Sequence, residues 1–415
     1  MGGQQFGEGT IHLNLLRYNQ VISLDPERGL VTVESGIQWP ELIEWLLSHQ
    51  EGRQKQWGIR QKQTGADRLS IGGALSANIH GRGLTLKPMV GDVESFTLVD
   101  AEGEVRHCSR EDNAELFRLV IGGYGLFGVI AEVTLRLSPR QKLIRKVEVV
   151  DLDDVPTRVE ERIQGGYLYG DYQFKTDEGA NDFLRRGVFS FYKPVGDDVP
   201  ESEDKKRLDA ERWVELYKMA HTDKPRAFGL YTQYYMSTDG QIYWTDTHQL
   251  SEYEPGHDGA IDQLLGARAP GSLMICEYYV SRSKLPEFVK RMGAILIETE
   301  ANLIYGTVRF IDKDDETFLA WAREPFACTV INLRVTHDEG GIEAAKRRFR
   351  AVTDLVLDMD GSYFLTYHRW ATKEQVLRAY PQFPEFIRRK LSYDPDERFQ
   401  SEWYRHYRKM FADQE

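Results

Sequence analysis

Cysteine is scarce in this chain of 415 residues, and long apolar runs are absent. The three cysteines, Cys108, Cys276 and Cys328, are odd in number and widely spaced, which argues against a disulfide framework or a metal cluster. No run approaches the roughly 18 to 20 apolar residues of a membrane span. The N-terminus lacks the basic and apolar regions of a signal peptide. We therefore expect a cytoplasmic protein with no membrane span and no metal site.

Positive charge is also in short supply. Lys and Arg number 53 against 65 Asp and Glu, which gives a net charge of −12. This deficit argues against nucleic acid or an anionic membrane surface as the main partner and favours a small-molecule substrate. The length suffices for two or three domains with cores of their own.

Glycine, by contrast, is concentrated in two clusters. Gly72 and Gly73 open a short helix of small residues that ends near His80, and residues 122–128 contain four more glycines. Backbone amides without side chains in front of them can approach a bulky anion closely. Two such clusters favour one large cofactor.

The second cluster matches the pattern G-x-G-x-x-G at residues 123–128. That pattern marks a dinucleotide site when a strand precedes it and a helix follows. Here the order is reversed, because residues 114–121 have a helical pattern and residues 129–137 have the pattern of a strand. A Rossmann site is therefore disfavoured, and an ordinary helix-to-strand turn remains an alternative to a ligand loop.

Hydrophobic periodicity predicts an α+β protein. Residues 10–16, 21–25 and 30–35 alternate like strands. Between 274 and 367, strands at 274–280, 307–311, 329–335 and 363–367 enclose helices near 285–296 and 342–356, which is the order of a ferredoxin-like sheet. We find no internal repeat in the sequence.

Residues 65–81, 93–104 and 115–135 resemble successive pieces of the PCMH-type FAD-binding domain of the vanillyl-alcohol-oxidase superfamily. Within it, the chain is most similar to sugar, alditol and aldonolactone oxidases and to decaprenylphosphoryl-ribose oxidases. The resemblance implies an FAD-binding domain at 1–139, a ferredoxin-like cap or substrate domain at 140–362, and a segment at 363–415 that returns to the FAD domain.

The resemblance also implies which residues bind FAD. These are Gly65, Ser70, Ile71, Gly72, Gly73, Asn78, His80, Gly81, Gly125 and Val129, together with Gly2, Gly3 and Gln4. Residues 1–5 resemble only the tail of the family's pyrophosphate loop, so we expect the first strands of the FAD domain to be missing from this chain. Whether the flavin is covalently bound does not follow from the sequence.

Three further residues are candidates for chemistry. His368 is the first candidate for a general base, because its ordinary pKa lies near ~6.5. Tyr367 stands where the ribose oxidases have an essential lysine, and it could polarise a hydroxyl or contact the flavin. Arg309, with Asn332 on a neighbouring predicted strand, could bind a carboxylate, lactone or sugar oxygen. A surface or salt-bridged arginine is the alternative for Arg309.

Together these features predict an FAD-dependent oxidoreductase. It would transfer a hydride from a hydroxyl-bearing carbon of a sugar-, polyol- or lactone-like substrate to flavin N5, and the electrons would pass to oxygen or another carrier. Two alternatives stay open, a flavin-dependent reductase of an activated C=C bond and a flavin-binding fragment without turnover.

Overall fold

The computed structural model describes residues 5–202, 205–251 and 256–412. Gly2, Gly3 and Gln4, which the sequence suggests as cofactor ligands, lie outside these residues. The described part of the chain is a mixture of helices and antiparallel sheets, which agrees with the predicted α+β class. In this part, no helix is both long enough and apolar enough to cross a membrane.

The first third of the chain forms a five-stranded antiparallel sheet in the order β1-β2-β6-β4-β5. Val31 and Val33 on β2 alternate inward and are completely buried, as period-2 patterning requires. The elements of this region are β1 (Val21–Asp25), β2 (Leu30–Glu34), α1 (Trp39–His49), β3 (Trp57–Gly58), α2 (Ile71–Ala77), β4 (Val93–Val99), β5 (Val105–Ser109), α3 (Ala114–Val120), β6 (Val129–Arg136) and β7 (Ser138–Pro139).

The middle of the chain builds a second sheet of eight strands, in the order β11-β8-β10-β9-β13-β14-β12-β15. The proposed domain boundary at residue 139 falls in the short connection that leads to the first of these strands. The elements are β8 (Lys142–Asp151), α4 (Val155–Gln164), β9 (Tyr169–Phe174), β10 (Arg186–Pro194), α5 (Ala210–Thr222), α6 (Lys224–Ser237), β11 (Ile242–Trp244), α7 (Asp258–Leu264), β12 (Gly271–Ser281), α8 (Leu285–Glu298), β13 (Leu303–Ile311), β14 (Phe326–Thr336), α9 (Glu339–Asp358) and β15 (Ser362–Tyr363).

The second sheet contains two units of the same topology. Strands β12 to β15 have the spatial order second-third-first-fourth, which is the arrangement of a βαββαβ unit. Strands β8 to β11 have the same order when the sheet is read from its opposite edge. The two units meet where β9 pairs with β13. The expectation of no internal repeat was therefore wrong at the level of structure. Only the second unit was predicted from sequence, because α5 and α6 replace a single helix in the first unit and β11 has only three residues.

The C-terminal segment contacts both sheets. Its strand β15 pairs with β12, and it continues into α10 (Lys373–Ala379), α11 (Phe383–Tyr393) and α12 (Glu402–Met410). Phe386 on α11 meets the ring of Phe127 edge-on at 5.3 Å. Trp403 on α12 stacks on Tyr124, with 4.4 Å between ring centroids, so the second glycine cluster is packed against the end of the chain.

Two predicted strands differ from the structure. Residues 10–16 form no regular element, although their side chains alternate. The predicted strand at 363–367 ends at Tyr363, and residues 365–367 form a turn. The amide of Phe364 still donates to the carbonyl of Glu277 on β12, and the chain leaves the sheet in the turn that follows.

We expect Trp403→Ala to destabilise the fold by about 3–5 kcal/mol, because it removes a buried aromatic side chain. It also removes the hydrogen bond from the indole Nε1 to the carbonyl of Leu365, which is 3.1 Å long. The measurement is denaturant unfolding followed by circular dichroism. Trp244→Ala is the control, and we expect a smaller loss because Trp244 is only half-buried. Equal losses for the two variants would contradict this role of Trp403.

Candidate active site

A cavity of about 790 Å³ lies between the inner face of the second sheet and residues of the first third of the chain. Its size is in the range typical of small-molecule sites. Gly65 and His80 line it from the first third, and Arg309, Tyr367 and His368 line it from the second sheet and the C-terminal segment. The structure thus brings together all three proposed catalytic residues with two of the proposed cofactor ligands.

A buried carboxylate, Glu277 on β12, is the centre of one end of the cavity. His80 Nε2 lies 3.0 Å from one of its oxygens, which also accepts from the hydroxyl of Tyr279 at 3.0 Å. Tyr367 donates its hydroxyl to the other oxygen at 2.8 Å. These bonds connect the first third, the second sheet and the C-terminal segment through one side chain.

The surroundings of Glu277 favour its ionised form. Burial by itself raises the pKa of this carboxyl, but the charges of His80 and Arg309 and the hydrogen bonds from His80 and Tyr367 outweigh burial. The net result is a pKa lowered to about 2. Glu277 is therefore an anion at neutral pH.

His80 makes contacts with both ring nitrogens. Nε2 faces Glu277, and Nδ1 lies 3.2 Å from the carbonyl of Gly81. His80 therefore connects the Glu277 carboxylate to the backbone of Gly81 in the buried end of the cavity.

Tyr367 and His368 are neighbours with different environments. Burial, followed by the charge of Glu277, raises the pKa of Tyr367 well above its ordinary value. His368 stacks on Trp370, and its Nε2 lies 2.8 Å from the carbonyl of Ile275. Burial lowers the pKa of His368 to about 4, so the ring is neutral at pH 7 and donates through Nε2, which leaves the lone pair on Nδ1.

Arg309 on β13 lines the cavity and is 7% exposed. Its Nε has no hydrogen-bond partner among the described residues. Such a group is costly to bury unless something binds it. The surface or salt-bridged alternative for Arg309 is therefore not what the structure shows, and the orphaned donor is available to a ligand.

The glycine clusters lie side by side, as a single cofactor site requires. The amide of Gly122 donates to the carbonyl of Leu75, and that of Tyr124 donates to the carbonyl of Ser76. At Gly125, φ is +74°, and a Cβ added there would meet nothing within 4 Å. Gly65, with φ of +79°, is equally open. These two positions leave room for a bulky group.

The amides at the start of α2, however, are not free. Ile71 donates to the carbonyl of Ile37, Gly72 to that of Ser35, and Gly73 to the side chain of Ser70, which caps the helix. The amides of Ile71, Gly72 and Gly73 thus have partners within the protein, and their contact with an anion stays a prediction. For Gly72, close packing is a second reason for glycine, because a Cβ there would lie 2.9 Å from that of Ser35.

Three other proposed FAD ligands have structural partners too. The amide group of Asn78 donates to Asp314 at 2.9 Å and accepts from the backbone of Val90 at 3.1 Å. Gly81 is packed so that a Cβ would lie 2.8 Å from the carbonyl of Lys62. Val129 begins β6 and pairs with Val99 on β4. The side chain of Asn78 thus holds neighbouring segments together, and its role at the cofactor stays a prediction.

The chemistry of the cavity fits a flavin better than a metal. A cavity with aromatic walls, the open backbone of Gly65 and the unpaired Nε of Arg309 suits a planar ring with oxygen and nitrogen acceptors. His80 Nε2, a Glu277 oxygen and Cys328 Sγ do lie within 4.8 Å of one another, which is a possible metal-ligand set. Hydrogen bonds from His80, Tyr279 and Tyr367 already use this carboxylate. We therefore assign the set to hydrogen bonding.

Comparison with known proteins agrees with this geometry. Residues 1–109 match the family model described as an FAD binding domain. The chain is thus similar to FAD-binding oxidoreductases of the PCMH type in its first 109 residues. Over 427 residues it is 24% identical to decaprenylphosphoryl-beta-D-ribose oxidase of Mycolicibacterium smegmatis. This alignment covers 96% of this chain and 86% of that protein.

Other relatives match a shorter part of this chain. L-galactono-1,4-lactone dehydrogenase 2 of Oryza sativa subsp. japonica is 34% identical over 143 residues, which is 34% of this chain and 23% of the rice protein. An uncharacterized oxidoreductase of the fasciation locus of Rhodococcoides fascians is 32% identical over 147 residues, 35% of this chain and 32% of that protein. Against these two relatives, the chain spans a third or less of their length.

Glu277 was missed by sequence reasoning. It lies in the predicted strand 274–280, whose other residues are apolar, aromatic or cysteine. An acidic residue in the middle of such a strand is a signal, because a buried carboxylate needs partners. The sequence alone does not say that these partners are His80 and Tyr367, which are 197 and 90 residues away.

We expect Glu277→Gln to change how stability depends on pH. A carboxyl with a lowered pKa stabilises the fold above its unfolded pKa of about 4.3 and loses this contribution as the pH falls toward 2. The stability difference between wild type and variant should therefore shrink between pH 5 and pH 3, by up to on the order of 3 kcal/mol at full protonation.

The measurement is urea unfolding of both proteins at several pH values. Glu298→Gln is the matched control, because Glu298 is exposed at the end of α8 and its replacement should leave the stability profile unaltered. A wild-type to Glu277→Gln difference that stays constant down to pH 3 would show that Glu277 is not a stabilised anion.

Proposed function

We propose that this chain is an FAD-dependent oxidoreductase that oxidises a hydroxyl-bearing carbon of a sugar-, polyol- or lactone-like substrate. The observation that carries the proposal is the convergence of Tyr367, His368 and Arg309 on one cavity with the His80–Glu277 contact. FAD, when bound, supplies the acceptor for the hydride that leaves the substrate carbon. The names of the lactone dehydrogenase and ribose oxidase relatives support a substrate of this class.

Tyr367 orients the reacting hydroxyl in this proposal. Its own proton points to Glu277, so the phenolic oxygen presents lone pairs to the cavity. A substrate hydroxyl that donates to this oxygen is held with its C–H bond in a fixed direction. Because the pKa of Tyr367 is raised, it stays neutral and does not itself remove the proton.

His368 is the proposed proton acceptor. The hydrogen bond to Ile275 fixes the neutral tautomer that carries its lone pair on Nδ1. A base with a pKa of about 4 is weak but is entirely in its accepting form at neutral pH. The hydrogen bond to the Ile275 carbonyl favours the ring that gains a proton when the substrate is oxidised.

Arg309 is the proposed electrophilic group. Its orphaned Nε can donate to the substrate oxygen as that oxygen acquires carbonyl or alkoxide character. The charge of Arg309 also lies close enough to Glu277 to lower the pKa of that carboxyl. Removal of the guanidinium should therefore weaken both substrate binding and the ionised state of the cluster.

Anaerobic mixing of the FAD-loaded protein with a panel of polyols, lactones and sugars tests the proposed reaction. We expect at least one compound to bleach the flavin absorbance near 450 nm, a property of the cofactor. If every compound leaves the flavin oxidised, while the chemically reduced flavin is reoxidised by an activated alkene, the direction of the reaction is the reverse and the proposal is wrong.

His368→Ala should slow flavin reduction by about 10²–10⁴-fold, which is the usual contribution of a general base. His49→Ala is the control, because His49 lies outside the cavity at the end of α1. In the wild type, we expect the reduction rate to be independent of pH above about 5 and to fall below pH 4, where His368 becomes protonated. Rates that are the same in His368→Ala and wild type would remove His368 from the mechanism.

A further inference from the structure

The cavity extends well beyond the Glu277 cluster. Polar side chains continue along the inner face of the second sheet, through Gln173 and Asp171 on β9 to Arg145 on β8. Five inter-strand steps separate β12 from β8 in the sheet order. At a spacing of ~4.8 Å per strand, the Glu277 and Arg145 ends are about 24 Å apart. This length is several times the width of one sugar ring.

Arg145 is the most isolated charge in this row. It is 5% exposed, its Nε donates to the Ser190 hydroxyl at 2.9 Å, and its guanidinium lies 4.3 Å from the centre of the Tyr235 ring. Within the described part of the chain, no carboxylate is close enough to form an ion pair with it. A buried guanidinium held only by hydroxyl groups and aromatic rings is electrostatically unbalanced.

The balance of charge over the whole cavity is also positive. Among the described residues, its walls contain three arginines, Arg82, Arg145 and Arg309, and two carboxylates, Asp171 and Glu277. Asp171 lies 3.5 Å from Arg82, and Glu277 lies 3.0 Å from His80. Within residues 5–202, 205–251 and 256–412, the positive charge of Arg145 therefore has no carboxylate that balances it.

Acceptors and aromatic rings lie beside Arg145. Asp171 Oδ1 and Gln173 Oε1 are buried and have no hydrogen-bond partner among the described residues, so they can accept from hydroxyl groups. Further aromatic side chains of this end of the cavity, Tyr192, Trp213, Tyr231, Tyr235 and Tyr243, line its walls. Aromatic faces suit the C–H faces of sugars, and free acceptors suit their hydroxyls.

We propose that the Arg145 end of the cavity is a subsite for an anionic group, a carboxylate or a phosphate, on an elongated polyhydroxylated substrate. The Glu277 end receives the hydroxyl that is oxidised, and Arg145 holds the charged end of the same molecule. Asp171 and Gln173 bind hydroxyls between the two. This inference rests on the proposed function for the role of the Glu277 end, but binding of the anion to Arg145 does not require turnover.

Binding and turnover are measured separately to test the subsite. The probes are cellobiose, cellobionate and cellobiose phosphorylated on its non-reducing sugar, each titrated into the FAD-loaded protein by calorimetry and by tryptophan fluorescence. We expect at least one of the two anions to bind ten times or more tightly than neutral cellobiose. The carboxylate and phosphate arms decide which anion is preferred.

Arg145→Gln should abolish this preference, so that anionic and neutral probes bind alike. Arg145→Lys keeps the charge and should retain part of the preference, and it serves as a second variant if Arg145→Gln is poorly folded. Arg212→Gln is the matched control, because Arg212 is an exposed arginine on α5 whose side chain is outside the cavity lining. We expect its preference to equal that of the wild type.

Three outcomes would overturn the subsite. The first is equal binding of neutral and anionic probes by the wild type. The second is a preference that survives in Arg145→Gln. The third is a loss of FAD affinity in Arg145→Gln with no change in probe binding, which would assign Arg145 to a phosphate of the cofactor. If the anions bind through Arg145 but no compound of the panel reduces the flavin, the subsite stands and the proposed oxidation fails.

Discussion

The contact between His80 and Glu277 is the interaction on which the site depends. The Glu277 carboxylate cannot be buried alone at an acceptable cost, because an unpaired charge away from water is strongly destabilising. His80 follows the first glycine cluster, Glu277 is in the middle of β12, and Tyr367 completes the cluster from the C-terminal segment. Pairing these groups therefore requires all three stretches of chain to meet, and their meeting closes one end of the cavity.

The two-unit sheet explains why the cavity is long. Each βαββαβ unit has a buried inner face, and the two units join edge to edge at β9 and β13. Their combined inner surface is twice as wide as that of one unit. Helices α5 and α6 follow β10 in the chain, where a βαββαβ unit has its second helix, but they pack on the cavity face of the sheet, and residues of both line the cavity. A broad sheet covered in this way offers a row of positions at which polar groups can be placed at strand spacing.

Several features could be predicted from sequence because they depend on local patterns. Helices α8 and α9 have apolar residues three and four positions apart, and the strand at 21–25 was predicted with its observed bounds. Arg309, Tyr367 and His368 were chosen by residue type and resemblance, and all three line the cavity. The roles of Ile71, Gly72 and Gly73 could not be predicted in the same way. A glycine that admits a ligand and a glycine that admits a neighbouring side chain look alike in sequence, and here Gly72 admits Ser35.

The sequence by itself determined the α+β class, the main helices and strands, and the resemblance to an FAD-binding family, because periodicity and short motifs are properties of contiguous residues. Only the tertiary structure decided which polar groups are satisfied and which are left for a ligand. Glu277 became the centre of the site because residues 197 and 90 positions away donate to it. Arg145 became a candidate anion site because folding brings no carboxylate to it within the described chain. Both results depend on contacts between residues that are far apart in the chain, and a local sequence pattern carries no information about such contacts.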